Sequence, residues 1–375
     1  MKISKKDALE WYRFFAQLAE AGEPLMPRQQ EIALAVLSQI EAAVEKQWAD
    51  LMADIPDLKS LKGRTYYVGD DKRFPKGCVS CLCGNGLSAI RKTNRCNANC
   101  PFCYDYGVLD CIPPIGEDMW EIGGTKFREE DLDLLLSSQS KPSGVAYVYL
   151  EPFMEIEKYY SFVRAMHSHG VYQHMYTNGI SATEEQLKSL GEAGLDELRF
   201  NLGASRCSDR VIDNIRIAKK YIPMVGIETP MTRELYDGFT KKLDRILDTG
   251  LDFINFAELH LNSNNLGNYA GENLYMYRQG YVSPICSRML TLQMMKRACL
   301  EHWPVAVHDC SNHTKFARGL NLKAHEAGWF GASSYGSEFD AIPFEAFLPV
   351  LEDESFKFLK EEPLPEGYRI GDIVL

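Results

Sequence analysis

The sequence lacks a long hydrophobic run, a signal-peptide core and a positive charge balance. No apolar stretch approaches the roughly 20 residues that a membrane-spanning helix needs, so we expect no membrane partner. The N-terminal residues have no apolar core of the signal-peptide kind, which predicts a cytoplasmic protein. The formal net charge of −11 argues against a nucleic-acid partner, because dedicated nucleic-acid binders present a basic surface. Short-period repeats of the solenoid type are also missing.

Cysteine is the residue that the sequence has in excess. The chain has 375 residues, with an ordinary 45% hydrophobic and 25% charged, and it carries 11 cysteines. In a reducing compartment such a set is more often metal-binding or catalytic than disulfide-forming. Their crowding into one short stretch makes a metal centre the first hypothesis. The crowded residues are Cys78, Cys81, Cys83, Cys96, Cys100, Cys103 and Cys111.

From residue 87 onward, short apolar runs alternate with amphipathic stretches. The predicted strands are 87–92, 145–150, 172–176, 197–201, 224–228 and 253–256. The predicted helices are 129–138, 155–167, 183–193, 209–221 and 236–248. Repeated strand–helix units predict an α/β fold with a parallel sheet and crossover helices. The number of units favours a partial (β/α)6 barrel of the TIM type over a closed eight-unit barrel.

The flanking regions predict a helical extension before the barrel and a cap after it. Helical periodicity between about residues 5 and 60 is broken at Pro24 and Pro27. We therefore expect four segments: a helical extension, a Cys-rich segment with the first strand, the barrel, and a C-terminal segment. Residues 260–285, rich in Asn, Gly and Tyr, are long enough for a lid or a substrate-binding element. The expected boundaries are 1–68, 69–93, 94–260 and 261–375.

Three cysteines follow the first predicted strand with the spacing Cys-x-x-x-Cys-x-x-Cys. They are Cys96, Cys100 and Cys103. Soft thiolates suit iron–sulfur clusters, and closed structural clusters normally use four cysteines. Three thiolates can hold three corners of a [4Fe–4S] cubane and leave one iron open for a substrate or cofactor. The alternative is a zinc site, although zinc sites usually pair Cys-x-x-Cys units with a fourth Cys or His.

With Phe102 before the third cysteine, this loop resembles the Cys-x-x-x-Cys-x-aromatic-Cys motif of the radical S-adenosylmethionine (SAM) superfamily. The resemblance implies that the open iron binds the amino and carboxylate groups of SAM. It also implies reductive cleavage to methionine and a 5′-deoxyadenosyl radical, which abstracts hydrogen from a substrate, and a reductant such as flavodoxin or ferredoxin. The early cysteine pair and Cys310 near Lys315 and Phe316 resemble a group related to pyruvate formate-lyase activating enzymes.

Glu151 and Pro152 end the second predicted strand. They resemble the second half of the Gly-Gly-Glu-Pro sequence of that superfamily, whose acid receives the amino group of SAM. Tyr149 and Leu150 stand where that sequence has its glycines. A carboxylate that faces an ammonium makes a strong, charge-assisted contact. The alternative is that Glu151 only caps the helix that follows.

Polar residues also end the next three predicted strands. Thr177 and Asn178 belong to a Thr-Asn-Gly turn similar to one common in the superfamily, and Asn201 and Glu228 end the fourth and fifth strands. In this reading these side chains face SAM or the substrate, and solvated loop residues are the alternative. His174, one of three neighbouring histidines, is expected at a solvated helix end.

A second group of cysteines precedes the first predicted strand. Cys78, Cys81 and Cys83, completed by the late Cys310, could form a four-thiolate site. Such a site would hold an auxiliary iron–sulfur cluster or a structural zinc. The alternative is that these residues are small buried core residues.

These observations predict a radical SAM enzyme that acts on an unidentified substrate, either a peptide or protein or a small molecule. A polypeptide is a plausible substrate because the related activating enzymes act on protein backbones. The alternative from another class is a non-enzymatic protein, in which the cysteines bind zinc or iron–sulfur clusters for binding or electron transfer.

Overall fold

The centre of the molecule is an 11-stranded sheet. The structure is a computed structural model that describes residues 27–84, 87–122, 125–138, 143–278 and 280–325. In chain order the strands are β1 (Lys59–Ser60), β2 (Tyr66–Val68), β3 (Leu87–Arg91), β4 (Met119–Ile122), β5 (Thr125–Arg128), β6 (Gly144–Tyr147), β7 (Tyr172–Thr177), β8 (Glu197–Phe200), β9 (Met224–Met231), β10 (Phe253–Glu258), β11 (Leu274–Tyr277), β12 (Tyr281–Pro284) and β13 (Ala306–Cys310). Strands β11 and β12 form a separate antiparallel hairpin.

The strands of the large sheet follow the order β1-β2-β13-β10-β9-β8-β7-β6-β3-β4-β5. The middle of this order, from β13 to β3, pairs in parallel. Antiparallel strands extend both edges, with β1 and β2 beside β13 and with β4 and β5 beside β3. In a partial barrel of this kind the loops after the parallel strands gather at one end, where chemistry is sited.

Helices connect most of the parallel strands, as crossover connections require. Polar caps start several of them: Thr183 forms a capping box with Gln186, and Ser208 accepts the Val211 N–H. Within the described ranges, none of the helices combines the length and apolar character that spanning a bilayer requires. The helices are α1 (Pro27–Ala53), α2 (Lys76–Cys83), α3 (Leu132–Ser138), α4 (Tyr160–Ser168), α5 (Glu184–Glu192), α6 (Asp209–Ala218), α7 (Arg233–Leu247), α8 (Ile285–Leu300) and α9 (Asn312–His325).

The prediction of an α/β partial barrel is confirmed, with all six predicted strands present and parallel. The predicted number of units was one too small, because β13 adds a seventh parallel strand beside β10. Only a short apolar run marks β13 in the sequence, and His308 and Asp309 interrupt its pattern. Both polar side chains are buried, at 1% and 0% exposure. A strand that buries polar groups on both faces escapes a hydropathy pattern.

The predicted segment boundaries do not separate structural units. The sheet takes β1 and β2 from the predicted extension 1–68, β3 from 69–93 and β13 from 261–375. Long-range pairing of short strands joins these parts, and local composition cannot reveal such pairing. Residues 1–26 and 326–375, which hold the rest of the predicted extension and cap, lie outside the described residues.

Helix α1 packs against α8 and β11 through a buried tryptophan. Trp48 is 1% exposed and meets the Tyr275 ring edge-on, with 4.8 Å between ring centroids. The Arg288 guanidinium lies 4.7 Å from the Trp48 ring centroid and also pairs with Asp309 on β13, 3.0 Å away. The described part of the predicted extension is therefore integral to the barrel wall.

We expect Trp48→Ala to lower the free energy of unfolding by about 3–5 kcal/mol, since it leaves a large cavity beside β11. Chemical denaturation monitored by circular dichroism measures the loss. The control is Lys46→Ala on the exposed face of the same helix, which should change stability by less than about 0.5 kcal/mol. Equal effects of the two substitutions would contradict this packing.

Candidate functional site

The loop after β3 carries Cys96, Cys100 and Cys103, and all three are partly exposed. The Cys103 N–H donates to the Cys100 carbonyl over 2.9 Å, which folds the second half of the loop into a turn. Burial, and then the neighbouring thiols of Cys103 and Cys96, raises the pKa of Cys100 to about 12. The structure therefore brings the three predicted ligands together.

Backbone N–H groups point at two of these sulfurs. The N–H groups of Ala98 and Asn97 lower the pKa of Cys96, and that of Asp105 lowers the pKa of Cys103, although burial raises both more strongly. N–H donors to sulfur stabilise thiolates and tune cluster potentials. In the described part of the chain no three His, Cys, Asp or Glu side chains converge tightly enough for a single metal ion. A cubane distributes its ligands over separate iron atoms, so a looser group of thiols suits it.

Glu151 joins three strand ends through its buried carboxylate and its backbone N–H. The side chain accepts the Thr177 hydroxyl and the Asn178 N–H, each over 2.6 Å, and the Phe153 N–H over 3.1 Å. Its own backbone N–H donates to the Arg95 carbonyl in the cysteine loop. Burial raises the pKa of Glu151 to about 7, and the three donors act in the opposite direction. The predicted positions 151, 177 and 178 thus lie together beside the loop of Cys96.

The two residues before Glu151 have a left-handed backbone. Tyr149 has φ +73° and Leu150 has φ +57°. For residues other than glycine this conformation costs about 1–2 kcal/mol each. Glycine adopts this conformation without that cost, and the Gly-Gly-Glu-Pro sequence that residues 149–152 resemble has glycine at both positions.

The Thr-Asn-Gly turn is fastened to the cysteine loop by side-chain amides. The Asn178 amide donates to Asn97 over 2.7 Å, and the Asn97 amide donates to the Ser181 hydroxyl over 2.6 Å. Gly179 has φ +69°, and a Cβ there would lie 2.8 Å from the Phe200 ring. The turn therefore requires glycine for both its backbone conformation and its packing.

The Asn-rich segment grips the other side of the cysteine loop. Its side-chain amides donate to loop carbonyls, and we call these four residues the asparagine clamp. Asn262 and Asn264 donate to the Tyr104 carbonyl over 3.0 and 2.7 Å. Asn265 donates to the Phe102 carbonyl over 3.3 Å, and Asn268 donates to the Pro101 carbonyl over 2.8 Å. Residues 260–285 were predicted to be a lid or substrate element. Their first part holds this clamp and their second part forms the β11–β12 hairpin.

The other three predicted cofactor-binding residues are described here by contacts with residues other than Glu151; they are Phe102, Asn201 and Glu228. The Phe102 ring lies 3.1 Å from the position that a Cβ on Gly203 would take. The Asn201 side-chain oxygen accepts the Ala204 N–H and the Thr229 hydroxyl, and so it shapes the turn after β8. Glu228 forms an ion pair with Arg199 inside the barrel. Their predicted roles in cofactor binding remain predictions.

Helix α2 packs its buried face, which carries Gly77, Cys78 and Leu82, against polar side chains of the barrel strands. The Gly77 N–H donates to Glu197 over 3.1 Å, and a Cβ on Gly77 would lie 2.6 Å from both Arg199 and His174. Arg199, 2% exposed in its side chain, pairs with Glu197 and Glu228. The prediction that His174 is solvated is wrong, since it is completely buried on β7. The alternation of side chains along β7 directs His174 into the protein. The grouping of three histidines in the sequence drew attention away from that strand pattern.

The second cysteine group lies on α2 and at the end of β13. Burial raises the pKa of Cys78, and Cys310 adds to that rise. Burial likewise raises the pKa of Cys310 to about 12, and Cys81 is among the neighbours that add to it. On a helix, the side chain of Cys83 points about 200° away from that of Cys81. His308 was not among the predicted ligands, and alternation places it on the same face of β13 as Cys310.

Residues 90–227 match the family model described as the radical SAM superfamily. This region of the chain belongs to the radical SAM superfamily. Its presence implies a [4Fe–4S] cluster and SAM as cofactors, and the three grouped thiols of the cysteine loop fit the cluster chemically, with its fourth corner left open. The matched region begins in β3 and ends in β9, so it contains the loop, Glu151 and the Thr-Asn-Gly turn.

The chain is also similar to individual proteins. A protein of Methanocaldococcus jannaschii, provisionally named a glycyl-radical enzyme activating enzyme, is 28% identical over 202 residues, which are 52% of each chain. The chain thus spans about half the length of this curated relative. SuiB of Streptococcus suis bound to SAM is 12% identical, with a TM-score of 0.43, over 60% of this chain and 49% of that one. TsrM of Kitasatospora setae with cobalamin and a [4Fe–4S] cluster is 12% identical, with a TM-score of 0.35, over 71% and 61%.

We expect the usual order of Ala and Gly stability to reverse at Tyr149. Because of its positive φ, Tyr149→Gly should be more stable than Tyr149→Ala by about 1 kcal/mol. At the exposed helical position Lys188 in α5, the Ala variant should instead be more stable than the Gly variant by about 1 kcal/mol. Chemical denaturation measures both pairs. The same order at both positions would contradict the left-handed backbone before Glu151.

Proposed function

We propose that the chain reductively cleaves SAM at a [4Fe–4S] cluster held by Cys96, Cys100 and Cys103. The observation that carries this proposal is the buried Glu151 carboxylate, which hydrogen bonds to the turn after β7 and stands beside the cysteine loop. A passive cluster or a structural zinc needs no such carboxylate. This supports an enzyme over the non-enzymatic alternative.

The Glu151 carboxylate retains an acceptor position for the amino group of SAM. An ionised carboxylate offers about four acceptor positions, and three donors use the carboxylate here. Oε1 accepts from Phe153 and Thr177, whereas Oε2 accepts from Asn178, so Oε2 can accept one N–H of an ammonium. A positive charge at that place would also lower the pKa of Glu151 below about 7 and favour its ionised form.

A [4Fe–4S] cluster held by Cys96, Cys100 and Cys103 would supply an open iron for SAM and the electron needed to cleave its sulfonium. The residues of this chain orient that cofactor. The asparagine clamp fixes the loop carbonyls on one side, and Asn97 with Asn178 fixes the loop on the other. Hydrogen bonds from two sides hold the cysteine loop, which would contact the cofactor, in place. A low-potential donor such as flavodoxin or ferredoxin would supply the electron.

We infer that the substrate is a polypeptide, with a backbone glycine as the hydrogen donor. The name of the M. jannaschii relative supports this class. The exposure of Asn97 and Pro101 supports it as well, because it leaves the cysteine loop open at the loop end of the barrel, where a polypeptide can reach it. A small-molecule substrate is the alternative, and the experiment with deuterated peptides below distinguishes the two.

The anaerobically reconstituted chain should form 5′-deoxyadenosine from SAM and dithionite, and Cys100→Ala should form none. Glu151→Gln should weaken SAM binding roughly 10- to 100-fold, because a hydrogen bond to a charged group contributes about 1.5–3 kcal/mol. Chromatography measures the product, and calorimetry measures SAM binding to the clustered protein.

The matched control for the second variant is Glu157→Gln, an exposed carboxylate six residues away. It should leave SAM affinity unchanged. An unchanged affinity in Glu151→Gln would remove Glu151 from the SAM site. A parent protein that holds only zinc and shows no spectral change with SAM would refute the proposed reaction.

The polypeptide hypothesis predicts hydrogen transfer from glycine. Short peptides with α-deuterated glycine, incubated with the reduced enzyme and SAM, should yield deuterated 5′-deoxyadenosine, since the abstracted atom comes from Cα. Mass spectrometry of the product measures the label, and the protonated peptides serve as the control. Product formation with no deuterium from any peptide would favour a small-molecule substrate.

A further inference from the structure

The asparagine clamp makes two of its contacts with a single carbonyl. The Asn262 and Asn264 side-chain amides donate to the Tyr104 carbonyl over 3.0 and 2.7 Å. A carbonyl oxygen has two acceptor positions, so these two amides use both of them. The peptide group between Tyr104 and Asp105 is therefore held from its carbonyl side by residues that follow β10.

The other side of the same peptide group faces one of the proposed cluster ligands. In a planar trans peptide the N–H points away from the carbonyl. The Asp105 N–H is directed at the Cys103 sulfur, since burial raises the pKa of the Cys103 thiol and a hydrogen bond from this N–H acts in the opposite direction. One peptide group thus connects the clamp to the third cysteine of the loop.

Backbone hydrogen bonds shape the chain around Asp105. The Cys103 N–H donates to the Cys100 carbonyl over 2.9 Å, and the Tyr106 N–H donates to the Cys103 carbonyl over 3.2 Å. The Val108 N–H donates to the Asp105 carbonyl over 3.1 Å. These N–H groups are used on carbonyls, whereas the Asp105 N–H is directed at sulfur.

The clamp is itself held in place by hydrogen bonds of its own. The Asn265 side chain is completely buried, accepts the Asn262 N–H over 2.8 Å and donates to the His260 carbonyl over 3.3 Å. The Asn262 side-chain oxygen accepts the Asn264 N–H over 3.1 Å. The two amides that bind the Tyr104 carbonyl are therefore supported by a second layer of contacts next to the end of β10.

Hydrogen bonds at a carbonyl strengthen the N–H donor of the same peptide group. Linked hydrogen bonds polarise one another, by about 10–30% per bond. Hydrogen bonds to the cysteine sulfurs are among the factors that set the reduction potential of an iron–sulfur cluster. Because reduction adds negative charge to the cluster, a donor at sulfur favours the reduced form and raises the potential.

We propose that Asn262 and Asn264 are positioning residues that raise the reduction potential of the [4Fe–4S] cluster, because they hold the peptide group of Tyr104 and Asp105 with its N–H on the Cys103 sulfur. This inference rests on the proposed function, which assigns the cluster to the cysteine loop. It gives a redox role to a segment that was predicted to be a lid or a substrate element.

The test measures the reduction potential of the cluster in the anaerobically reconstituted full chain, by a dithionite titration monitored with electron paramagnetic resonance. At a fixed applied potential, Asn264→Ala should lower the ratio of reduced to oxidised cluster about 3-fold, since one of the two donors remains. The double variant Asn262→Ala/Asn264→Ala should lower it about 10-fold, which corresponds to about 59 mV for a one-electron couple.

The matched control is Asn268→Ala. Asn268, like Asn264, is an exposed asparagine whose amide donates to a loop carbonyl, in this case that of Pro101 over 2.8 Å. That carbonyl belongs to a peptide group that precedes Cys103, so the reduced fraction should match the parent. A control of opposite sign is Asp105→Asn, which keeps the N–H and removes a carboxylate whose charge acts on Cys103. It should raise the potential.

Two further measurements separate this role from a general loss of structure. The circular dichroism spectrum and the iron content should be unchanged in Asn264→Ala, because that side chain is exposed. The affinity for SAM should match that of the parent, because the contacts of Glu151 lie on the other side of the cysteine loop. A potential that shifts while both quantities stay constant is the expected signature.

Equal potentials in the parent and the double variant would overturn the proposal, and so would an equal shift in Asn268→Ala. If the parent cleaves SAM while these potentials are equal, the inference about the clamp fails alone. A parent that holds no iron–sulfur cluster would overturn it together with the proposed function. The two failures are therefore distinguishable from measurements on the parent.

Discussion

A single buried carboxylate connects the parts of the site that the sequence holds far apart. Glu151 is 1% exposed, and it hydrogen bonds to the turn of Thr177 and Asn178 and to the backbone of the cysteine loop. Burial of an unpartnered carboxylate would be costly. The three donors offset that cost only while β6 and β7 keep their register, and the Glu151 N–H bonds the same residue to the loop after β3. The geometry of the loop end thus depends on this contact, and the left-handed backbone of Tyr149 and Leu150 delivers Glu151 to it.

In the interior of the barrel, a buried charge is likewise compensated by neighbouring polar groups. Arg199 is buried between Glu197 and Glu228, and it also approaches Tyr176 and Cys78. Removing any one partner would leave a buried charge less well compensated. Helix α2 fits among these groups because Gly77 has no side chain. These contacts hold the buried face of α2 against the barrel strands, while the cysteine loop and the turn after β7 lie at the strand ends.

Much of the fold could be predicted because its signals are local. Each predicted strand has its own apolar run, and helices such as α5 and α6 begin at recognisable caps. Strand β13 was missed because His308 and Asp309 are buried on opposite faces of one short strand, each with its own polar partner. The N-terminal part of the sheet was missed for a related reason. Strands β1 and β2 are two and three residues long, and they exist only through pairing.

The sequence by itself determined the class of chemistry. The spacing of Cys96, Cys100 and Cys103 is a covalent property of one loop, and so it can be read without the fold. The partners of those residues are set by parallel pairing. Asn97 meets Asn178, and Tyr104 meets Asn262, across long stretches of chain. The encounter of Cys78 with His308, 230 residues later, was likewise decided only by the tertiary structure, because contacts between distant residues depend on how the sheet closes rather than on local spacing.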